Sequence, residues 1–237
     1  MLQRVLGSSP LATQMAAKRH SLLFLGKADD RDCARALEFC QENFTLVTHC
    51  LGRWGDPLPE PIRKWEGDYV ISYLSRWVLP AELLQRVHMA AVNFHPASPD
   101  YPGIGCTNFA LYENATEYGV TCHHMAAQVD SGAIIAVRRF PIRPEDTVAT
   151  LLQRTYEHQI RLFFEIAAIM AEGGELPKAA DRWTRRPYTR KEFNELFKIT
   201  PEMSSEEIAR RVRAVSYGSY QPFLEIGGFR FQYVPPE

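Results

Sequence analysis

The sequence predicts an α/β protein: an open, mostly parallel sheet with helices on both faces, followed by a small C-terminal helix and β-hairpin segment. Three observations predict it. Short apolar runs of strand length alternate with helical stretches through the first part of the chain. One long amphipathic run follows two further strands. Near the end, Gly227-Gly228 separates two runs of alternating polarity. Parallel strands need crossover connections, usually helical, so strand–helix–strand repetition is the pattern such a sheet leaves in a sequence.

"SLLFLG" (21–26) is an apolar run ending in glycine, and reads as a buried strand. "DDRDCARALEFCQEN" (29–43) places Cys33, Ala36, Leu37 and Cys40 at helical spacing behind Asp29 and Asp30, which predicts a capped helix. "FTLVTHC" (44–50), "YVISYL" (69–74) and "MAAVNF" (89–94) are the next strands. "PAELLQRV" (80–87) predicts a helix with Pro80 suited to its first turn. "TNFALYEN" (107–114) predicts a short helix, and "YGVTCHHM" (118–125) and "AIIAVRRFPI" (133–142) predict two strands around "AAQVDSG". From Thr147 to Gly173/Gly174, Leu152, Tyr156, Ile160, Phe163, Ala167 and Met170 form an apolar stripe, so one long helix packs on the sheet. "LPKAADRWTRRPYTRK" reads as an irregular basic linker. "RKEFNELFKI" (190–199) and "SSEEIARRVRAVSY" (204–217) predict two helices, the second capped by Ser204 or Ser205, before the hairpin. The divisions are a leader over 1–20, a core domain over 21–180 and an extension over 181–237.

At 237 residues, 46% of them apolar and 23% charged, the chain is long enough for a substantial core and ordinary for a globular protein. A formal net charge of −1 argues against a general nucleic-acid or anionic-membrane binder. The five cysteines are scattered without CxxC spacing, as expected of reduced thiols in a cytoplasmic protein. No apolar run approaches the roughly 20 residues of a membrane span. Residues 1–20 carry Arg4, Lys18 and Arg19 and no acid, and are expected to be a flexible leader.

The first strand is followed by "LGKADD", which is not a dinucleotide fingerprint, so nicotinamide and flavin chemistry is discounted. In an open parallel sheet, ligands bind beyond the carboxyl ends of the strands. "NFHPASPDYPG" (93–103) begins at such an end. The period-2 geometry of a strand puts Asn93 and His95 on one side. Together they offer an amide donor for a developing oxyanion and an imidazole for proton transfer. Pro96, Pro99, Pro102 and Gly103 make the adjoining wall rigid. Asp130, in "QVDSG", lies in a loop that can reach the same sheet edge. There it is expected to orient His95 and raise its pKa. The three residues suit acyl transfer without a covalent enzyme intermediate. "TCHH" does not suit a metal, because adjacent strand residues point to opposite faces.

"NFHPASPDYPG", "GVTCHHM" and "VDSGAII", in that order, resemble the formyltransferase family that uses N10-formyltetrahydrofolate. The resemblance extends over residues 69–142 and implies a Rossmann-like core. It implies that Asn93, His95 and Asp130 are the catalytic asparagine, histidine and aspartate, and that His123 is a structural or pocket residue. It also implies a folate pocket between "SYLSRWVLP" and "MAAQVD". There Ser75, Arg76, Trp77, Val78, Leu79, Met125, Gln128 and Val129 are the expected contacts, and no metal is needed.

Within that family, "HPASPDYPGIGCTNFALYE" and the ending "RVRAVSYGSYQPFLEIGG" look most like the sugar N-formyltransferases. The implied acceptor is a nucleotide-linked 4-amino-4,6-dideoxyhexose, with GDP-perosamine the first choice and O-antigen or lipopolysaccharide sugar synthesis the destination. The expected substrate contacts are Lys27, which follows the first strand and suits a phosphate, and Tyr101, Gly103 and Gly105 on the catalytic loop. Arg182, Arg185, Arg186, Arg190 and Lys191 form a second basic group, read mainly as solvated linker. The alternatives are methionyl-tRNA or glycinamide ribonucleotide formyltransferase, a deformylase, and a non-catalytic binder of sugar nucleotide or folate. Neither nucleic acid nor membrane is an expected partner. The exposed edges of the terminal hairpin imply a homodimer.

Overall fold

The structure is a computed structural model and describes residues 19–235. All but the last two residues of the expected leader lie outside the described residues. Six strands form the main sheet: β1 (Ser21–Lys27), β2 (Leu46–Gly52), β3 (Gly67–Tyr73), β4 (Val87–His95), β5 (Glu117–His124) and β6 (Ile134–Pro141). Their order is β2-β1-β3-β4-β5-β6. The pairings from β2 to β4 are parallel, whereas β4–β5 and β5–β6 are antiparallel. The sheet is therefore mostly parallel and open, as the alternation predicts.

The helices explain why β1 is a continuous apolar run. α1 (Arg31–Asn43) and α5 (Val148–Glu172) cover one face. α2 (Glu60–Arg63) and α3 (Ala81–Leu84) contribute Ile62 and Leu83 to the other. Leu22 to Leu25 of β1 are all fully buried: Leu22 and Phe24 enter the first core, Leu23 and Leu25 the second. The centre of the first core is Phe163 of α5, whose ring meets those of Phe24, Tyr73 and Phe94 at 5.2–6.4 Å. Local signals fix the helix ends. The Asp30 carboxylate accepts from the backbone N–H groups of Asp32 and Cys33, and Thr147 forms a reciprocal cap with Thr150. Gly173, at φ 69°, ends α5 in the left-handed conformation that favours glycine.

Three departures from the sequence reading have physical causes. The helix expected over 80–87 is one turn, because Val87 already pairs with Gly67 of β3. The helix expected over 190–199 stops at Leu196 (α6, Arg190–Leu196), because Lys198–Ile199 forms a short strand, β7, paired with β8 (Phe223–Ile226). The segment read as a linker is an ordered strap. Its backbone donates from Ala179 to Ile134, from Thr184 to Pro99 and from Tyr188 to Pro102, and the Tyr188 carbonyl accepts from Ile104.

Beyond the strap, α7 (Ser205–Val215) packs on α4 (Cys106–Tyr112), where Asn108 donates to the Ala214 carbonyl at 2.7 Å. The hairpin of β8 and β9 (Phe229–Gln232) turns through Gly227 and Gly228, both at positive φ.

Candidate active site

β4 carries Asn93 and His95 at its end, and its antiparallel neighbour β5 puts His123 directly opposite Asn93. The Asn93 amide nitrogen lies 3.1 Å from His123 Nε2. His123 Nδ1 donates to the His124 carbonyl at 2.8 Å, so on a neutral ring Nε2 is an acceptor and the amide donates to it. One amide hydrogen is thereby used, which fixes the orientation of the group and leaves the second for a ligand.

Asp130 sits between the two imidazoles. Its carboxylate oxygens are 3.4 Å from His95 Nδ1 and 3.4 Å from His123 Nε2, and the Gly103 N–H donates to it at 2.8 Å. Burial opposes its charge, but the attraction of His95 and the Gly103 N–H prevail and hold its pKa down at about 2. Asp130 is held at φ 46°, an unusual backbone conformation for a non-glycine residue.

His95 is almost wholly buried, and its Nε2–H donates to the Tyr101 carbonyl at 3.0 Å. Here the electrostatic expectation is corrected. Burial pulls the imidazole pKa below its ordinary value, outweighing the opposing pull of Asp130 and the Tyr101 carbonyl. The ring is therefore neutral near neutral pH. A neutral ring can donate to only one of the two acceptors flanking it, and an added proton satisfies the other.

The loop after β4 is held from several sides. The hydroxyls of Tyr118 and Thr121 donate to the Pro96 and Ala97 carbonyls at 3.0 and 2.7 Å. At Gly103, φ 92°, a side chain has no room: a Cβ meets the Tyr188 backbone at 2.5 Å. This close approach seats the strap against the loop.

These groups floor a cavity of 540 Å³ that Asn93, His95, Gly103, His123 and Asp130 all line. All eight residues expected in a cofactor pocket line it too: Ser75, Arg76, Trp77, Val78 and Leu79 from one loop, Met125, Gln128 and Val129 from another. The Trp77 indole is anchored by donation to the Asp56 carbonyl at 2.8 Å and packs on Gly52. Val78 and Val129 are 69% and 44% exposed, which leaves an apolar lip open to solvent. Lys27 lines the cavity, with its ammonium paired to Asp30 at 3.0 Å.

Two other expected substrate contacts do not face the cavity. The Tyr101 ring is buried 5.9 Å from the Tyr118 ring, so the residue serves through its carbonyl. Gly105 caps α4, where a Cβ meets Phe193 at 2.3 Å. Of the C-terminal basic group, Arg190 lines the cavity, while Arg185 and Arg186 pair with Glu113 and Glu192.

Other lining residues gave no sequence signal. Tyr156 reads only as part of the apolar stripe of α5, and Pro187 and Tyr188 only as linker. Cys106 lies 3.8 Å from His95 Nε2 but donates to the Gly103 carbonyl, and burial pushes its thiol pKa well up, so it is a packed thiol. Among the described residues no cluster of three His, Cys, Asp or Glu side chains could hold a metal ion, and no helix is long and apolar enough to cross a membrane.

Comparison with solved structures gives the same fold. A sugar N-formyltransferase from Shewanella is 18% identical with a TM-score of 0.72, covering 90% of this chain and 96% of that one. A 4-N formyltransferase from Francisella tularensis is 15% identical with a TM-score of 0.73, with coverage of 90% and 96%. An N-formyltransferase from Helicobacter canadensis, in complex with folinic acid and dTDP-3-aminofucose, is 20% identical with a TM-score of 0.70, covering 87% of this chain and 84% of that one. Residues 57–166 match the formyl transferase family, a span that contains β3 to β6, the residues of the cavity floor and both loops of its apolar side. The chain carries a formyl transferase domain.

Proposed function

We propose that the protein transfers a formyl group from N10-formyltetrahydrofolate to the amino group of a nucleotide-linked amino sugar. One observation carries this reading: Asn93, His95 and Asp130 converge on the floor of a cavity whose other side is an apolar, partly open slot. The slot suits a flat heteroaromatic donor, with stacking surface from Trp77, Leu79 and Met125 and polar backbone from both loops. The floor suits the chemistry of the carbonyl carbon.

The reaction then runs as follows. The neutral sugar amine attacks the formyl carbon, forming a C–N bond and a tetrahedral oxyanion. Asn93 donates its free amide hydrogen to that oxygen. The proton lost by the amine passes through the His95–Asp130 pair and is returned to the folate nitrogen. The old C–N bond breaks, and tetrahydrofolate leaves as a secondary amine. The lowered pKa of His95 keeps the ring ready to accept that proton, and ionised Asp130 stabilises the imidazolium that forms.

Three cations line the same cavity, Lys27, Arg76 and Arg190, and no carboxylate is paired with Arg76 or Arg190 among the described residues. They favour an acceptor that carries a diphosphate. The names of the Shewanella protein and of the Helicobacter complex, which holds an aminodeoxysugar nucleotide, support an amino-sugar acceptor. A 4-amino-4,6-dideoxyhexose nucleotide is the substrate class to try first, beginning with GDP-perosamine, and the product would enter O-antigen or lipopolysaccharide sugar synthesis. The exposed apolar hairpin is read as the contact of a homodimer.

The test is incubation of the purified full chain with N10-formyltetrahydrofolate and a panel of acceptors, read by mass spectrometry. A gain of one formyl group on an amino-sugar nucleotide is the expected result. Formylation of methionyl-tRNA or glycinamide ribonucleotide alone refutes the sugar assignment. Binding without formylation of any acceptor refutes the enzyme.

A further inference from the structure

We propose that Trp183, in the strap after α5, is a positioning residue that holds the His95–Asp130–His123 cluster together and shields both imidazoles from water. Its ring meets His123 edge-on at 5.0 Å and 86°, and His95 at 5.8 Å and 69°. Its indole N–H donates to the Gly132 carbonyl at 2.8 Å, two residues beyond Asp130. One side chain thus touches both imidazoles and the loop that carries the carboxylate between them.

The loop needs such an anchor. Asp130 is fixed by one backbone N–H, from Gly103, and by two imidazole contacts of 3.4 Å. Gly132 lies so close to the strand end that a Cβ meets the His124 carbonyl oxygen at 1.8 Å. That same oxygen accepts from His123 Nδ1. Pressing Gly132 onto His124 therefore sets the depth of Asp130 and the tilt of His123 at once, and through His123 the orientation of the Asn93 amide. The strap is itself seated on the catalytic loop through Thr184 and Tyr188, which follow the indole in sequence. A change in the strap is thereby transmitted to the floor of the cavity.

The shielding has a measurable consequence. The groups facing His95 are Asp130 from the β5–β6 loop, His123 from β5, Cys106 from α4 and the Tyr101 carbonyl from its own loop. All remain when the indole is removed. Trp183→Ala admits water beside the ring, which solvates the imidazolium and moves His95 titration upward, towards the ordinary value near 6.5.

The test is NMR titration of histidine-labelled full-length protein, with the His95 signal assigned by its loss in His95→Asn. In Trp183→Ala the His95 midpoint is expected to rise by about one pH unit. Trp183→Phe keeps an aromatic edge and loses the N–H, so a smaller rise is expected, and this variant decides the matter where the alanine variant does not fold. The acid limb of the formylation rate should move with the midpoint, and kcat should fall while KM for the donor changes little. An unchanged His95 midpoint in every folded Trp183 variant overturns the proposal. The kinetic arm rests on the catalytic reading of His95 and Asp130, but the titration does not. A midpoint shift in a protein that formylates nothing keeps Trp183 in place and removes the reaction.

Discussion

The floor of the cavity and the C-terminal hairpin are opposite solutions to the problem of buried and exposed groups. At the floor, Asn93, His95, His123 and Asp130 are polar, three of them nearly inaccessible, yet each has a partner. On the hairpin, Ile226, Phe229 and Phe231 are apolar and 51–71% exposed, on a three-stranded sheet whose outer strand, β9, pairs with no further strand among the described residues. Buried polar groups that satisfy one another form a rigid, chemically tuned site. Exposed apolar groups on an open edge are a surface for association. The proposed reaction and the proposed homodimer contact thus fall in separate parts of this chain, and the following changes should separate them.

The largest effects belong at the floor. His95→Asn should lower kcat by about 10²–10⁴-fold with donor binding retained, the range for a lost general acid–base. Asn93→Ala should cost about 10²–10³-fold, as for removal of one oxyanion donor. Both are read from steady-state rates, and near wild-type turnover in either variant removes that residue from the mechanism.

The pH profile comes next. His95 has a folded pKa below its ordinary value, so the rate should hold near neutral pH and fall once the pH drops through that lowered value. Asp130 also titrates lower in the fold than in the unfolded chain, so its contribution to stability is present above about pH 4 and is lost as pH falls towards 2. An acid denaturation series should show Asp130→Asn flatter than wild type across that window.

The first core gives a third, purely structural test. Phe163→Ala should cost about 3–5 kcal/mol in denaturant unfolding, because it empties the meeting point of Phe24, Tyr73 and Phe94. The smallest effect on catalysis should come from the hairpin. Phe231→Glu should convert a dimer to a monomer by light scattering while kcat changes less than about twofold, since surface changes away from a site are usually mild. Loss of activity along with the dimer would join the two regions that the comparison separates.

Periodicity makes the sheet and its long helix legible, because burial of β1 on both faces and of one stripe of α5 leaves strong, separate signals. Asn93 and His95 are legible for the same reason: strand alternation and the proline-rich loop mark a strand end. Three things are not legible. The two-residue strand β7 is too short to show a period and exists only because β8 pairs with it. The direction of the Tyr101 ring is set by Tyr118, which is distant in sequence. Trp183 sits in a segment with neither period nor cap, and its value comes from the backbone hydrogen bonds that lay the strap over the loop. The charge of Asp130 alone predicts a raised His95 pKa, but burial is a tertiary property and outweighs that neighbour.

Formyl transfer to a sugar amine is measured by supplying N10-formyltetrahydrofolate labelled with carbon-13 in the formyl group, together with GDP-perosamine and related amino-sugar nucleotides, and following the label by NMR. The labelled carbon is expected to appear as a sugar formamide, tetrahydrofolate to accumulate at the same rate, and both to stop in His95→Asn. Label that stays on folate or appears only as free formate with every amino-sugar nucleotide would contradict the proposed transfer.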